Sequence, residues 1–225
     1  MSLAPIIVVT GTDTGVGKTV ATAALAAVLS GAGRRVIVYK PCQTGAADGD
    51  SDADEVARLG APDRVVTGAV LQAPLAPVIA ARLESADLPS IASHAERVHV
   101  LSADCDHVLV EGSGGLLVEL DSAGGTLADL AILLDAPLII VTRAALGTLN
   151  HTALTLEAAA RRHVTVMGLV IGSWPTAPGV AEIENRRTFA SGSTALLGAI
   201  PADVAALAPE SFRSLANDWL SGLPR

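Results

Sequence analysis

Residues 11–19 have the sequence Gly11-Thr12-Asp13-Thr14-Gly15-Val16-Gly17-Lys18-Thr19. This glycine-rich turn follows an apolar run at residues 5–10 and precedes a helical stretch at residues 18–30, so it joins a buried strand to a helix. Strand, Gly-Lys-Thr and helix in this order are typical of a phosphate-binding loop, although one residue more than usual separates Gly11 from Gly17. The turn therefore predicts an α/β protein that binds a nucleoside triphosphate.

Apolar runs of strand length alternate with helical stretches along the rest of the chain. Strands are expected at residues 5–10, 35–39, 107–110, 137–142, 164–171 and 196–200. Helices are expected at residues 18–30, about 52–59, twice within 73–103, and at 126–134, 150–162, 180–191 and 209–220. We expect a polar loop at residues 42–51 and a short hairpin arm at 116–120. The alternation predicts a three-layer fold in one domain over residues 1–225, with a mostly parallel central sheet and helices on both faces.

The composition restricts the classes of function. Half of the residues are hydrophobic and 2% are aromatic, which predicts an aliphatic core of the kind that parallel strands bury. A net charge of −8 argues against binding to nucleic acid or to an anionic membrane. Two cysteines without a CxxC motif predict neither a disulfide framework nor a zinc site. No signal-peptide pattern or membrane-spanning run is present, so we expect a cytoplasmic protein.

The chain contains two lysines, Lys18 and Lys40, beside 13 arginines. Lys18 lies in the glycine-rich turn, and Lys40 ends the next apolar run. A compact ammonium differs from a planar guanidinium when a phosphate must be bound as a point charge. Both lysines are therefore candidate catalytic residues. One alternative is that biased codon usage left two lysines by chance. A second is that Lys40 only extends from the end of a strand into solvent.

Polar and glycine residues cluster at the predicted carboxyl ends of strands, where ligands bind in such sheets. Glu111 ends an apolar strand, and a buried carboxylate without a cation would be costly, so Glu111 is expected to bind Mg²⁺ together with the hydroxyl of Thr19. The other expected nucleotide contacts are Thr14, Gly15, Val16, Gly17, Lys18, Val20, Gly112, Ser113 and Gly114.

Several of these pieces together resemble the dethiobiotin synthetase family. Besides residues 11–19, the resemblance rests on Lys40-Pro41-x-x-Thr44-Gly45, Val110-Glu111-Gly112-Ser113-Gly114-Gly115, Asp135-Ala136-Pro137 and Gly147-Thr148-Leu149-Asn150-His151. The pieces follow the family's order and spacing over residues 6–201. The resemblance implies an ATP- and Mg²⁺-dependent ligase of biotin biosynthesis. Such an enzyme closes the ureido ring of dethiobiotin from 7,8-diaminopelargonic acid and CO₂ or bicarbonate, through a carbamate and its phosphorylated anhydride.

The resemblance also implies roles for single residues. Lys18 would bind the transferred phosphate, Lys40 would neutralise the carbamate and the γ-phosphate, and Thr44 would bind the substrate. A second acid for Mg²⁺ would come from the loop at residues 48–54, where Asp52 matches best and Asp54 is the competing choice.

A second part of the substrate site is implied at the start of the helix near residue 150. Free N–H groups there would capture the substrate's carboxylate across the interface of a homodimer, from Gly147, Thr148, Leu149 and Asn150. A helix cap is the structural alternative for Asn150.

One departure from the family concerns the nucleobase. Gly172-Ser173 stands where family members commonly have Asn-Asp, and the missing asparagine is the residue that would bind the adenine edge. We expect weak base selection, through backbone groups near Gly172, Ser173 and Pro201, with CTP or GTP bound comparably to ATP or better.

Two alternatives to this ligase stay open from the sequence. One is a nucleotide switch or partitioning ATPase of the same P-loop lineage. Such proteins usually have a lysine early in the phosphate-binding turn, whereas this chain has Thr12-Asp13-Thr14 there and a net negative charge. The other is a related ligase that acts on another substrate.

Overall fold

The computed structural model describes residues 3–49 and 51–224. In this part of the chain, seven strands form one parallel sheet in the order β3-β2-β4-β1-β5-β6-β7. The strands are β1 (Ile6–Gly11), β2 (Val36–Gln43), β3 (Arg64–Val70), β4 (His107–Gly115), β5 (Leu138–Thr142), β6 (Val166–Trp174) and β7 (Leu196–Pro201). The helices are α1 (Lys18–Gly31), α2 (Asp52–Gly60), α3 (Pro77–Glu84), α4 (Ile91–Ser102), α5 (Leu127–Leu133), α6 (Thr148–Arg161), α7 (Val180–Ser191) and α8 (Pro209–Trp219).

The sheet separates two aliphatic cores. Successive side chains of a strand point to opposite faces, so in β1 Ile6 and Val8 pack in one core while Ile7 and Val9 pack in the other. Helices α4, α5, α6 and α7 contribute to the first core, and helices α1, α2 and α8 contribute to the second. The predicted three-layer α/β architecture with helices on both faces is thus confirmed.

Strand β3 was missed by the sequence analysis. It lies at the edge of the sheet, its residues are mostly half-buried or exposed, and Gly68 interrupts its apolar pattern. Gly68 lies against β2, because a Cβ atom there would be 2.4 Å from the Pro41 carbonyl oxygen. A short, half-exposed edge strand has too weak an apolar signal to be separated from a loop.

Strand β2 is longer than expected and extends through Pro41 to Gln43. Its pairing with β4 ends at Tyr39 and Val110, whereas its pairing with β3 continues to Gln43. Proline has no N–H group to donate, which suits the point where β2 leaves β4. The polar loop therefore begins later than predicted and includes a short 3₁₀ turn, Ala46–Asp48.

Two further local predictions are wrong. Residues 116–120 form no hairpin arm, since their pairing is one antiparallel bridge between Glu119 and Thr126. Helix α6 begins at Thr148, two residues earlier than predicted, and its N-cap is Gly147 rather than Asn150. Gly147 has a positive φ of 94°, a conformation that glycine adopts readily, and no side chain caps the helix there.

The described residues contain no helix that is both long and apolar enough to cross a lipid bilayer. Cys42 and Cys105 are both free thiols.

Candidate active site

The candidate site lies at the carboxyl edge of the central strands. Strand β1 leads into the glycine-rich turn, and α1 begins at Lys18 after Gly17, whose φ of 94° is in the left-handed region. Neighbouring strands β2 and β4 separate just after Tyr39 and Val110, so the next residues, Lys40 and Glu111, face each other where the ladder has opened. Parallel pairing therefore brings together side chains 71 positions apart in the sequence.

A cluster of four polar side chains occupies this opening; two of them, Lys40 and Glu111, are buried, and Thr19 and Asp52 are partly exposed. Lys40 Nζ lies 2.8 Å from Glu111 Oε1 and also contacts Asp52 Oδ2. The Thr19 hydroxyl oxygen lies 2.9 Å from Asp52 Oδ1 and 3.0 Å from Glu111 Oε1. Lys40 and Glu111 are 3% and 1% exposed, so their charges compensate each other almost without help from water. Four elements supply the cluster: α1, β2, α2 and β4.

The surroundings of Lys40 favour its charged form. Burial alone lowers the pKa of this ammonium, but the charges of Glu111 and Asp52 more than offset that effect and raise the pKa above its ordinary value. Although burial opposes the charge of Asp52, the Lys40 ammonium holds the pKa of that carboxyl below its ordinary value. Lys40 is thus a permanent cation suited to neutralising anionic oxygens, and it is unsuited to act as a base.

Lys18 is a second cation beside this cluster. It is 8% exposed, and its Nζ donates to the carbonyl oxygen of Asp13 at 3.1 Å, within the same turn. Burial lowers the pKa of Lys18, and the positive charge of Lys40 lowers it further. An anionic ligand between the two ammonium groups would remove this repulsion.

Most of the predicted site residues line one open cavity of about 750 Å³. The predicted residues in its wall are Thr14, Gly15, Gly17, Lys18, Thr19, Val20, Lys40, Thr44, Asp52, Ser113 and Gly114. Glu111 lies beneath them through its contacts with Lys40 and Thr19, and Gly112 presents its carbonyl oxygen 3.5 Å from Lys40 Nζ. Val16 is buried under the turn. The wall also includes an apolar segment of residues 74–77 before and at the start of α3.

The structure distinguishes between the two acids proposed for the loop at residues 48–54. Asp52 is the first residue of α2 and faces Thr19 and Lys40. Asp54 is exposed, and its backbone N–H donates to the hydroxyl of Ser51, the N-cap of the helix. Asp50, another acid of this loop, lies outside the described residues. The geometry therefore places Asp52 rather than Asp54 at the cluster.

Gly172, Ser173 and Pro201 lie outside the wall of this cavity. Gly172 and Ser173 belong to β6 itself rather than to a loop after it, because β6 continues to Trp174. Gly172 packs directly under the glycine-rich turn, since a Cβ atom added there would be 2.1 Å from the Val16 carbonyl oxygen. The absence of a side chain at residue 172 thus allows the turn to lie on β6.

The segment Gly147–Asn150 also lies outside the cavity. Thr148 is buried, and its hydroxyl bonds to the carbonyl oxygen of Arg143 and to the hydroxyl of Thr142. Its backbone N–H donates to Ala145, so neither polar group of Thr148 is available to a ligand. Leu149 and Asn150 are exposed at the first turn of α6. Within one chain, residues 147–150 therefore do not border the cavity that Lys18 and Lys40 line.

Sequence reasoning missed two polar residues at the site. Gln43 lines the cavity, and its side-chain oxygen accepts a hydrogen bond from the backbone N–H of Asp52 at 3.2 Å. Arg143 follows β5 and contacts the glycine-rich turn. The signal that could have identified both is their position at a carboxyl strand end. Cys42, to which no chemistry was assigned, is buried, and burial raises the pKa of its thiol to about 11.

The oxygen atoms of the cluster suit magnesium. Mg²⁺ is usually held by one or two carboxylates together with phosphate oxygens and water. Asp52, Glu111 and the Thr19 hydroxyl provide such a partial set. In residues 3–49 and 51–224, no group of three or more His, Cys, Asp or Glu side chains could hold an ion without other ligands. Mg²⁺ at this position would take its other ligands from phosphate oxygens and water.

Comparison with known proteins identifies close relatives of the whole chain. A family described as an AAA domain matches residues 6–210. The "ATP-dependent dethiobiotin synthetase BioD" of Mycobacterium sp. strain KMS is 48% identical, with 97% of this chain and 99% of the relative covered. The protein of the same name from Streptomyces avermitilis is 50% identical, with 96% and 92% covered.

Solved structures with a similar fold are more distant in sequence. The septum site-determining protein MinD of Pyrococcus horikoshii, solved with Mg-ADP, is 18% identical with a TM-score of 0.61, and the alignment covers 95% of this chain and 94% of that one. Chloroplast FtsY of Physcomitrella patens is 16% identical with a TM-score of 0.57, covering 96% of this chain and 66% of that one. At these identities, the similarity is evidence for the fold alone.

Proposed function

The chain belongs to the dethiobiotin synthetase family, and we propose that the cavity between Lys18 and Lys40 is where its reaction takes place. The protein is a ligase of biotin biosynthesis that uses ATP to form the ureido ring of dethiobiotin. One amine of 7,8-diaminopelargonic acid is carboxylated to a carbamate, and a carbamate oxygen accepts the γ-phosphoryl group of ATP. The second amine then attacks the carbamoyl carbon, which closes the ring and releases phosphate.

One observation carries the assignment of the site: both lysines of the chain border the same cavity, above two carboxylates and a hydroxyl group. Phosphoryl transfer requires positioning and charge neutralisation more than covalent chemistry from the protein. Lys40 is held charged between Glu111 and Asp52 and would neutralise the carbamate and the transferred phosphoryl group. Lys18 and the N–H groups at the start of α1 would bind the phosphates of the nucleotide.

Mg²⁺ is the metal that this oxygen set fits. Thr19, Asp52 and Glu111 would hold it, and when bound it would offset the negative charge of the triphosphate. The Thr19 hydroxyl already contacts both carboxylates in the chain itself. Thr44 lines the same cavity and would bind the diamine. Gly112, Ser113 and Gly114 would bring backbone groups near the ligands.

The proposed reaction can be tested by the release of inorganic phosphate. Release is expected to require both the diamine and bicarbonate, because phosphate is lost only after the carbamate has been phosphorylated and attacked. Phosphate release that is indifferent to the diamine would instead favour a nucleotide switch. Formation of dethiobiotin, followed by mass spectrometry, distinguishes this reaction from that of a ligase with another substrate.

We propose weak selection of the nucleobase. Gly172 has no side chain, and the 2.1 Å between an added Cβ atom and the Val16 carbonyl oxygen leaves no room for one. Backbone groups near Gly172, Ser173 and Pro201 would then contact the base, and CTP or GTP is expected to bind at least comparably to ATP. Competition among the four nucleoside triphosphates measures this directly. A preference for adenine above about tenfold, or ~1.4 kcal/mol, would contradict it.

We further propose that the active enzyme is a homodimer. Gly147, Leu149 and Asn150 are expected to bind the substrate's carboxylate, without the internally bonded Thr148, yet none of them lines the cavity of its own chain. Leu146, just before Gly147, is 87% exposed, and Leu149 is also exposed. An exposed apolar surface beside an expected ligand site suits contact with a second copy. The start of α6 would then complete the partner's cavity.

A further inference from the structure

We propose that Arg143 is a positioning residue for nucleotide binding, which neutralises an acidic side chain inside the glycine-rich turn. The inference rests on the proposal that the cavity binds a nucleotide, but it holds whichever second substrate the enzyme uses. Arg143 is the first residue after β5 and is half-exposed at the carboxyl edge of the sheet. Its Nη2 atom lies 2.8 Å from Asp13 Oδ2 and also donates to the carbonyl oxygen of Thr14 at 3.1 Å.

Asp13 is an unfavourable residue for a turn that binds an anion. Its carboxylate places a negative charge within a few residues of the atoms expected to contact phosphates, and like charges repel. The same residue orders the turn, because its Oδ1 accepts the N–H of Thr14 at 2.7 Å and its carbonyl oxygen accepts Lys18 Nζ at 3.1 Å. Arg143 therefore acts on Asp13, which orients Lys18. The positive charge of Arg143 offsets the repulsion between the Asp13 carboxylate and a bound phosphate.

Arg143 is itself held by the start of α6. Its carbonyl oxygen accepts the Thr148 hydroxyl at 2.8 Å, and Thr148 belongs to a buried group of three hydroxyls with Thr142 and Thr152. The backbone of β5 is also joined to the turn, since the Thr12 N–H donates to the Val141 carbonyl oxygen at 2.9 Å. The guanidinium thus extends from a fixed point to the turn. It positions the phosphate-binding residues without touching the reacting atoms.

The test measures binding of Mg²⁺ and the β,γ-imido analogue of ATP by calorimetry, without the diamine. Arg143→Met is expected to weaken binding about fivefold, because the carboxylate of Asp13 is left uncompensated. The double variant Arg143→Met/Asp13→Asn is expected to recover at least half of the lost binding free energy, because it also removes the repulsive charge. Arg161→Met is the matched control, since Arg161 forms one exposed ion pair with Glu157 on the outer part of α6.

A purely structural role for Arg143 predicts a different pattern, in which the double variant binds as weakly as Arg143→Met or more weakly. That pattern, or unchanged binding by Arg143→Met, would overturn the proposal. Should Arg143→Met not fold, the same comparison is made with Arg143→Gln, which is shorter and neutral but keeps a polar side chain at this position. If phosphate release fails to depend on the diamine while this binding pattern holds, the proposed reaction fails and the role of Arg143 stands.

Discussion

At the scale of a single residue, the proposed chemical role of Lys40 coincides with a structural one. Its ammonium is the partner of a carboxylate, Glu111, that is 1% exposed, and it also faces the cavity. A buried carboxylate without a cation is strongly destabilising, so the two residues depend on each other for stability. The same arrangement keeps the ammonium charged and fixed in direction before any ligand arrives. Preorganised charge of this kind is what stabilises the transition state of a phosphoryl transfer.

Replacing Lys40 with Met is expected to affect stability and activity together. The free energy of unfolding should fall by about 3 kcal/mol, because Glu111 is left buried and unpaired. The rate constant kcat should fall by about 10²-fold or more, because the transferred group loses its neutralising cation. Urea denaturation and the phosphate-release assay measure the two effects.

The double variant Lys40→Met/Glu111→Gln tests the stability effect alone, since Glu111 is also a proposed Mg²⁺ ligand. It removes both charges, so it should regain much of the lost stability. A double variant that is no more stable than Lys40→Met would show that the unpaired Glu111 is not the cause of the loss.

Packing between elements creates a second buried polar pair, apart from the active site. Tyr39 of β2 and His94 of α4 lie side by side, with the Tyr39 hydroxyl 2.6 Å from His94 Nδ1. Among the described residues, His94 Nε2 has no hydrogen-bond partner. Burial lowers the pKa of His94 although the charge of Asp121 opposes the shift, and burial raises the pKa of Tyr39 to about 12. Arg97 is the other charged group near Tyr39. The contact between α4 and the sheet therefore requires a neutral imidazole.

This pair predicts a loss of stability in mild acid. The unfolded chain takes up a proton at His94 near pH 6.5, whereas the folded chain, with its lowered pKa, does not. The contribution of His94 to the free energy of unfolding should therefore be constant above pH 6.5. Below pH 6.5 it should fall by up to about 1.4 kcal/mol for each pH unit.

Urea denaturation at pH 8.0, 6.5 and 5.5 measures the effect. His94→Gln should lose less stability between pH 8.0 and 5.5 than the wild type, while the exposed His163→Gln should behave like the wild type. Equal pH dependence in all three proteins would exclude His94 as the cause. The lowered pKa of Asp121 acts only at lower pH, where that carboxyl is protonated.

At the scale of the whole molecule, the two halves of the expected substrate site do not border the same cavity. Lys18 and Lys40 line the cavity, whereas Gly147–Asn150, at the start of α6, lies outside its wall. The first turn of α6 is exposed and presents Leu146 and Leu149 to solvent. A site shared between two copies would join these halves, and such a site can be tested without knowing the geometry of the interface.

Mixing two inactive variants is expected to restore activity. Lys40→Met removes the cation, and Asn150→Asp adds a negative charge that favours the start of α6 but repels the substrate's carboxylate. A hybrid dimer contains one site in which both residues are native, so an equal mixture should regain roughly a quarter of wild-type activity. Phosphate release after subunit exchange measures this. No recovery, once mass spectrometry has verified that hybrids formed, would contradict the shared site.

The sequence alone determined the features that arise from neighbouring residues. Strand, glycine-rich turn and helix occupy residues 6–31 without interruption, so apolar periodicity and the Gly-Lys-Thr motif sufficed to predict the α/β fold. The scarcity of lysine identified Lys18 and Lys40 as candidates. The edge strand β3 was missed because half-exposed residues leave little periodic signal.

The meeting of residues that are distant in the sequence follows from the packing of separate elements. Lys40 and Glu111 are 71 positions apart, and Thr19 and Glu111 are 92 positions apart. Their contacts follow from the order of the strands and from the point where β2 leaves β4. The choice of Asp52 over Asp54, the contact of Arg143 with Asp13, and the packing of Gly172 under the turn arise in the same way. Periodicity reports whether a residue is buried, whereas its partner depends on how separate elements pack together.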